Sequence, residues 1–321
     1  MLKKIKNPIL FQGHLKKKKY FEGWYYKFVS KDLQHSLALI PGISLNQKDS
    51  HCFIQIFYTN AQKQMHTEYI RYQTHDFDVI QQPFTLKINN HIFDENHIEV
   101  NINNDKIKIN GKLEIKGLNK INKSFISPSI MGPFAYLRFM ECHHGVVSMS
   151  HEIKGQMTIN QVKIDFSGGK GYIEKDWGRS FPQSYVWMQS NHFSNQQLSF
   201  MFSEASIPFL GFEFKGLLVI LMDGQNEYRF TTYNFSKIIE RDIRKHEVFY
   251  QVKKGKYMIE IQAKNKETIG LAAPKNGVMD QVIKEGLTGS IDIKLYKNNI
   301  LILEDTGHQA GIEIMMDQTI N

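Results

Sequence analysis

The sequence predicts an all-β fold: two antiparallel β-barrel or sandwich domains in tandem, with little helix. Apolar and polar residues alternate along many short segments, which is the spacing of half-buried strands. At 321 residues, the chain is long for one small barrel and sufficient for two domains. The stretch Ser124–Pro133, which contains proline and glycine, interrupts this pattern near the middle. We therefore expect a basic N-terminal arm at 1–20, a first domain at 21–130 and a second at 131–321, with the boundary between 119 and 145.

The individual strands follow from local patterns. Lys106–Lys116 alternates isoleucine and leucine with charged residues, and it predicts a half-buried strand that bends at Gly111. Residues 291–303 alternate on both sides of a Lys-Asn-Asn break, which predicts a hairpin. Residues 157–166 predict a second hairpin that turns near Asn160-Gln161. Two more continuously apolar runs, 53–58 and 217–221, are typical of inner strands.

The charge of the chain is basic, with a formal net charge of +8. Part of the excess is local, because the run Lys16–Lys19 follows three earlier lysines in the first six residues. We interpret this segment as a solvated arm; attraction to a membrane surface and binding of an anionic group remain alternatives. No nucleic-acid partner is expected. Without a secretory signal or a long apolar stretch, the expected location is the cytoplasm, with membrane association left open.

Metal and cofactor motifs are not apparent. Cys52 and Cys142 are isolated, so two free thiols are expected rather than a disulfide framework. The adjacent pair His143-His144 would point to opposite faces of a strand, so the two rings would not chelate one ion. No phosphate-binding loop or nucleophile motif is present. The sequence therefore predicts neither a metal nor a cofactor.

All three tryptophans lie in two aromatic stretches, Phe21–Phe28 and Gly168–Phe193. Strand alternation groups large rings with carboxylates or amides on shared faces in both stretches. A pure core would not bury such polar groups unpaired, because each one would cost about 1–3 kcal/mol. A pocket for an apolar small molecule needs this mixture of rings and polar groups. The candidate ligand-contacting residues are Glu22, Trp24, Tyr26, Tyr172, Trp177, Tyr185, Trp187, Gln189 and Asn191.

Structural alternatives exist for these residues. Each ring could simply belong to a core. Glu174 and Asp176 share a face two residues apart, and they could pair with Lys175, Arg179 or Lys27, or cap a turn. The sequence does not separate these alternatives from a role in a pocket.

The same two stretches carry a resemblance to a known family. FEGWYYKF at Phe21–Phe28 resembles the N-terminal signature of the tocopherol cyclase family. GYIEKDWGRSFP at Gly171–Pro182 and WMQSNHF at Trp187–Phe193 resemble its central signature. Shorter segments at 131–134, 140–142, 271–274 and 306–313 are similar to its bacterial members, so the resemblance covers most of the chain.

The resemblance implies a fold and a reaction. The fold would be a pair of lipocalin-like β-barrel domains, similar to the carotenoid 1,2-hydratases. Plant members of the family close the chromanol ring of vitamin E from a prenylated hydroquinone, and they need no cofactor. An acid protonates a trisubstituted alkene, and the phenol oxygen captures the cation; in the related hydratases, water captures it.

The residues that would perform this isomerase chemistry are our own inference. Glu174 and Asp176 are the candidate catalytic acids, because two neighbouring carboxyl groups raise each other's pKa and can leave one protonated. Trp24, Trp177 and Trp187 are expected to lie near one another, at or beside the interface of the two domains. Together with Tyr185, they are expected to stabilise a carbocation with their ring faces.

Two functions other than catalysis fit the same sequence. One is a non-catalytic, lipocalin-like carrier of a hydrophobic molecule, and the other is a membrane-stress protein that docks on anionic lipid through its basic arm. A carboxylate at the apolar end of a pocket would favour the enzyme, whereas carboxylates that are all ion-paired outside a pocket would favour the carrier.

Overall fold

A computed structural model describes residues 2–209, 211–265 and 267–316, which are almost entirely strand. One short helix, α1 (Leu2–Lys6), and three 3-10 helices at Thr74–Asp76, Gly132–Tyr136 and Thr232–Asn234 accompany two sheets. The first sheet contains β1 (Lys19–Val29), β2 (Ser36–Asn46), β3 (His51–Thr59), β4 (Met65–Tyr72), β5 (Phe77–Gln81), β6 (Phe84–Ile88), β7 (His91–Asp94), β8 (His97–Asn103), β9 (Lys108–Lys116), β10 (Cys142–Ile159), β11 (Val162–Asp165) and β12 (Lys170–Gly178). The second contains β13 (Tyr185–Ser190), β14 (Ser199–Phe209), β15 (Phe212–Met222), β16 (Glu227–Thr231), β17 (Lys237–Ile243), β18 (Glu247–Lys254), β19 (Tyr257–Lys264), β20 (Ile269–Lys275), β21 (Val278–Lys297) and β22 (Ile300–Met315).

The predicted fold class is confirmed, because each sheet is antiparallel and surrounds its own apolar core. The first sheet has the order β4-β3-β2-β1-β12-β10-β9-β8-β7-β6-β5, with β11 added to β10. The second has the order β16-β15-β14-β13-β22-β21-β19-β18-β17, with β20 added to β21. Among the described residues, no helix is both long and apolar enough to span a membrane.

The first compact unit comprises Met1–Phe181 and Leu271–Val282. Its sheet rolls around the core: the hydroxyl of Tyr72 on β4, at one end of the strand order, lies 2.9 Å from Nε2 of His91 on β7, the third strand from the other end. The roll brings the two ends of the strand order towards each other. The boundary predicted between 119 and 145 falls inside this unit, because β10, β11 and β12 complete the first sheet.

Residues 271–282 join the first unit although they are distant from it in sequence. Gln55 of β3 exchanges two side-chain hydrogen bonds with the backbone of Ala272, at 2.8 and 3.3 Å. The hydroxyl of Ser44 on β2 donates to the carbonyl of Gly277 at 2.7 Å. Long-range polar contacts therefore make this unit discontinuous in sequence, which strand periodicity does not reveal.

The predicted basic arm at 1–20 is only partly solvated. Ile9, Leu10 and Phe11 are buried in the first core, whereas the lysines of the run Lys16–Lys19 are exposed. The indole Nε1 of Trp24 donates to the carbonyl of Ile9 at 2.7 Å. The segment after α1 is thus an integral part of the first unit.

The predicted turns lie where local chemistry places them. Asn160 and Gln161 connect β10 to β11 with φ values of 47° and 71°, in the left-handed region that Asn tolerates. Gly111 has a φ of 150°, and a Cβ there would lie 2.4 Å from the carbonyl oxygen of Gln156. Glycine is therefore required at the predicted bend because the neighbouring strand approaches so closely.

The second unit comprises Pro182–Gly270 and Ile283–Asn321. Its core alternates along each strand, as in β18, where Val248, Tyr250 and Val252 are buried. The predicted hairpin at 291–303 is formed by β21 and β22, which turn through Asn298 and Asn299 at φ values of 52° and 63°. The two cysteines of the chain, both in the first unit, are free thiols.

Candidate active site

Strand β12 separates two sets of side chains because successive residues point to opposite faces of a sheet. Ile173 belongs to the first core, and Trp177 packs against that core. Lys175 lies opposite Trp24, another core residue, in the pairing of β12 with β1. Tyr172, Glu174 and Asp176 therefore lie on the other face of the sheet, as alternation predicted.

The outer face of β12 meets a histidine from the neighbouring strand β10. His144 lies opposite Asp176 in the register of the two strands. Its Nδ1 is 2.9 Å from Oδ1 of Asp176, and its Nε2 is 3.5 Å from Oε2 of Glu174. The hydroxyl of buried Tyr172 donates to the same Glu174 oxygen at 2.6 Å. One imidazole thus bridges two carboxylates; we name His144, Glu174 and Asp176 the outer-face triad.

The electrostatics of the triad favour an imidazolium. Burial alone would lower the pKa of His144, but the carboxylates of Glu174 and Asp176 outweigh burial and raise this pKa to about 9. Burial and the neighbouring Glu174 also raise the pKa of Tyr172, so its hydroxyl stays protonated. The sequence interpretation considered two interacting carboxyl groups alone, whereas the structure places a cation between them. Near neutral pH, the mobile proton of the triad resides on His144.

The same three residues are a group that could hold a metal ion, since their donor atoms lie within 4.8 Å of one another. A single ion, however, would bind only one nitrogen of the ring. Here Nδ1 is directed to Asp176 and Nε2 to Glu174, so the two carboxylates contact different edges of the imidazole. A bridging proton carrier fits this arrangement better than a metal centre.

The raised pKa of His144 gives a testable dependence of stability on pH. A histidine whose pKa rises on folding stabilises the protein fully below its ordinary value of 6.5, and this contribution disappears as pH rises through about 9. We expect the difference in unfolding free energy between wild type and His144→Gln to shrink by up to about 3 kcal/mol between pH 6 and pH 10. Urea unfolding at several pH values measures this difference. A difference in unfolding free energy that does not change with pH would contradict the imidazolium assignment.

The inner face of β1 and β12 contains a second polar cluster, the buried pair of Glu22 and Lys175. Both side chains are 0% exposed, and Lys175 donates to Oε1 of Glu22. Glu22 also accepts the backbone N–H groups of Gln12 and Gly13, at 2.8 and 3.0 Å, and the hydroxyl of Tyr20. Both oxygens of Glu22 are therefore engaged within the fold.

Two tryptophans enclose this pair. Nζ of Lys175 lies 4.7 Å from the ring centroid of Trp24 and 4.7 Å from that of Trp177, as in cation–π contacts. Burial lowers the pKa of Lys175 to about 8, although Glu22 acts against this shift. The predicted proximity of Trp24 and Trp177 thus holds within the first unit, where their rings contact a lysine. That Trp187 lies beside them remains a prediction.

The predicted grouping of Glu22, Trp24 and Tyr26 on one strand face is correct, but this is the core face. Trp24 and Tyr26 are fully buried members of the first core, and the hydroxyl of Tyr26 donates to the carbonyl of Asp94 at 3.3 Å. The sheet itself therefore separates this group from Glu174 and Asp176.

The second unit gathers a similar mixture on the outer face of β13. Val186 and Met188 belong to the core, so Tyr185, Trp187 and Gln189 point away from it. The hydroxyl of Tyr185 donates to Oε2 of Glu313 at 2.7 Å. Trp187 lies opposite this glutamate on β22, which in turn lies opposite Glu285 on β21. Asn191, the remaining predicted residue, follows the end of β13 and is also buried.

Four residues of these clusters were not candidates at the sequence level: His144, Lys175, Glu285 and Glu313. His144 and Lys175 both carried a signal, since one belongs to the adjacent histidine pair and the other separates the two candidate acids. As predicted, the rings of that pair point apart, because His143 lies opposite Trp177 and His144 opposite Asp176. Glu285 and Glu313 come together only through the pairing of β21 with β22, which local sequence patterns do not predict.

Two antiparallel β units, each with its own apolar core, place the chain in the lipocalin-like, two-domain class of β proteins. The chain belongs to the tocopherol cyclase-like family, whose model matches residues 112–315. The matched range includes the central signature, and the N-terminal signature at Phe21–Phe28 precedes it. No curated protein sequence matches the chain.

Solved structures show the same fold at low sequence identity. The chain is similar to CghA crystallised with Sch210972, with a TM-score of 0.61 and 7% identity over 93% of this chain and 89% of that chain. It is also similar to kievitone hydratase from Nectria haematococca, with a TM-score of 0.55 and 13% identity over 97% of this chain and 94% of that chain. Identities this low support the fold and leave the activity to be argued from the site.

Proposed function

We propose that this protein is an acid–base enzyme that cyclises or hydrates an isoprenoid or prenylated aromatic substrate without a cofactor. The observation that carries this proposal is the imidazole of His144 held between the carboxylates of Glu174 and Asp176 on one face of the first sheet. The family is named for a cyclase, and one structural neighbour is by name a hydratase. Both names denote additions that a positioned acid can start.

The proposed reaction balances without an oxidant or reductant. The imidazolium of His144 gives its proton to the carboxylate of Asp176, which passes it to one alkene carbon, and the other alkene carbon becomes a cation. A hydroxyl oxygen of the substrate, or of water, forms a bond to this cation. The proton released by that oxygen returns through the carboxylate of Asp176 to His144, so the site regains its starting state.

Exposure separates the roles within the triad. The side chain of Asp176 is 24% exposed, compared with 6% for Glu174 and 14% for His144. Asp176 is therefore our candidate for the group that delivers the proton of His144 to the substrate. His144 holds the proton between turnovers, and its Nδ1 lies 2.9 Å from Oδ1 of Asp176, within reach for proton transfer. Glu174, held by the Tyr172 hydroxyl, positions the imidazole and favours its charged form.

The second unit offers a separate candidate surface for an apolar ligand. Tyr185, Trp187 and Gln189 share one buried face of the second unit, which combines large rings with hydrogen-bonding groups. Glu22, in contrast, is a poor candidate for the acid because its oxygens are engaged by Lys175 and backbone donors.

A substrate panel tests this proposal. Purified protein is incubated with prenylated hydroquinones and simple isoprenoid alkenes in H₂¹⁸O, and products are identified by mass spectrometry. Cyclisation gives an isomer of unchanged mass, whereas hydration adds one labelled water. We expect one of these products from wild type and none from His144→Gln/Asp176→Asn. Tight binding of the panel without any product would instead support the hydrophobic-carrier alternative.

A further inference from the structure

A cavity of about 610 Å³ opens in the first unit, on the core side of β10 and β12. This volume lies within the range of about 300–1,000 Å³ that is usual for small-molecule pockets. Its wall includes Trp177 and His143, which face away from the outer-face triad. The cavity is therefore a different feature from the proposed active site, and the sheet separates the two.

The wall of this cavity is strongly basic. Five of the described lining residues are cationic at neutral pH, and Glu141 is the one carboxylate among them. Glu141 is already paired with Arg179 at 3.2 Å. Such an excess of like charge around a concave site raises the local concentration of anions. The cationic lining residues are Lys4, Lys17, Lys19, Arg138 and Arg179.

Two of the lysines act on each other electrostatically. Burial lowers the pKa of Lys17, Glu22 opposes this shift, and the nearby charge of Lys4 adds to it. The ammonium of Lys17 lies 3.8 Å above the ring of Tyr20, which fixes its position at the wall. A bound anion would relieve the repulsion between the two lysines, whereas the fold without a ligand retains it.

His143 provides a second, independent sign of a ligand. Its Nε2 bonds to the carbonyl of Leu137 at 3.0 Å, so this nitrogen is the donor. Its Nδ1 is buried and has no hydrogen-bond partner within the described part of the chain. A buried polar atom without a partner costs free energy, which a ligand group that reaches this nitrogen would recover. The P–OH of a phosphate monoester is a group that can share a proton with it.

The remaining wall is apolar. The ring of Trp177 stacks on His143, with centroids 5.4 Å apart and planes at 8°. Side chains of isoleucine, methionine and phenylalanine continue this surface next to the cations. A ligand that matches both parts has an anionic head and an apolar body. The apolar lining residues are Ile5, Met131, Ala135, Phe139 and Met140.

We propose that this cavity binds an anionic amphiphile, a phosphate monoester on an apolar chain, with the head at Lys4, Lys17 and His143 and the chain along Trp177. The proposal gives a specific ligand to part of the basic N-terminal segment, and it does not depend on the proposed reaction.

Calorimetric titration with octyl phosphate tests the site. We expect wild type to bind octyl phosphate more tightly than either octanol or inorganic phosphate, because head and chain both contribute. Lys4→Gln and Lys17→Gln should each weaken binding about tenfold, the usual effect of losing one charge-assisted hydrogen bond. The matched control is Lys163→Gln, which removes the same charge from an exposed position on β11. Fluorescence should change on binding in wild type but not in Trp177→Phe.

Three outcomes would overturn the proposal. If Lys163→Gln weakened binding as much as Lys4→Gln and Lys17→Gln, the effect would come from net charge and not from this cavity. If inorganic phosphate bound as tightly as octyl phosphate, the apolar wall would contribute nothing to binding. Binding only to phosphatidic acid vesicles, without binding of octyl phosphate, would assign the lysines to a membrane surface. Circular dichroism of each variant confirms that its fold is retained.

Discussion

Asp176→Asn is expected to reduce turnover of a prenylated substrate by about 10²–10⁴-fold, the usual contribution of a positioned general acid. The amide keeps the size of the carboxyl group and can still hydrogen bond to His144, so packing is conserved. It cannot release a proton to an alkene. Substrate affinity, followed by tryptophan fluorescence, should change little, because the loss affects the transition state more than the ground state.

Controls for this prediction come from the same unit. Asp165→Asn removes an exposed carboxylate on β11, outside the triad, and should leave turnover unchanged. Glu174→Gln should also lower turnover, since it removes one of the two carboxylates that keep His144 charged. If Asp176→Asn and Glu174→Gln were both fully active, the acid would lie elsewhere, and Glu313 with its Tyr185 partner would be the next residue to test.

The sequence predicted those parts of the molecule that depend on local rules. Period-two alternation identified β9 and both hairpins, and the Asn-Gln and Asn-Asn turns have the left-handed backbone that such residues allow. Alternation also placed Tyr172, Glu174 and Asp176 on one face, because this requires only that β12 be a strand. Gly111 was predicted as a bend for the same local reason.

Local rules do not predict which distant strands pair, or in which register. His144 meets Asp176 only because β10 pairs with β12 in one register, and a shift of one residue would turn His143 to that face instead. Lys175 reaches Glu22 because β1 and β12 are neighbours across more than 140 residues of chain. The boundary at Phe181 likewise depends on long-range contacts, since residues 271–282 return to the first unit.

The pair of Glu22 and Lys175 carries the second large expected effect. Lys175→Met should lower the free energy of unfolding by about 3–5 kcal/mol, because removing one partner leaves the other charge buried and uncompensated. The matched control is Lys163→Met, the same substitution at an exposed position of the first unit, which should change stability by less than about 0.5 kcal/mol. Denaturant unfolding at pH 7 measures both variants.

A double variant separates pair energetics from packing. Glu22→Gln/Lys175→Met removes both charges and keeps similar volumes, so it should recover much of the stability lost in Lys175→Met.

Lys175 also donates to the carbonyl of Leu10, and Glu22 accepts the N–H groups of Gln12 and Gly13. The pair therefore holds the N-terminal segment against β12. In Lys175→Met, we expect amide hydrogen exchange to accelerate more at Gln12 and Gly13 than at the other amides of the first sheet. A uniform change across the unit, or a double variant as unstable as the single one, would mean that the lysine acts through its packing between the two tryptophans.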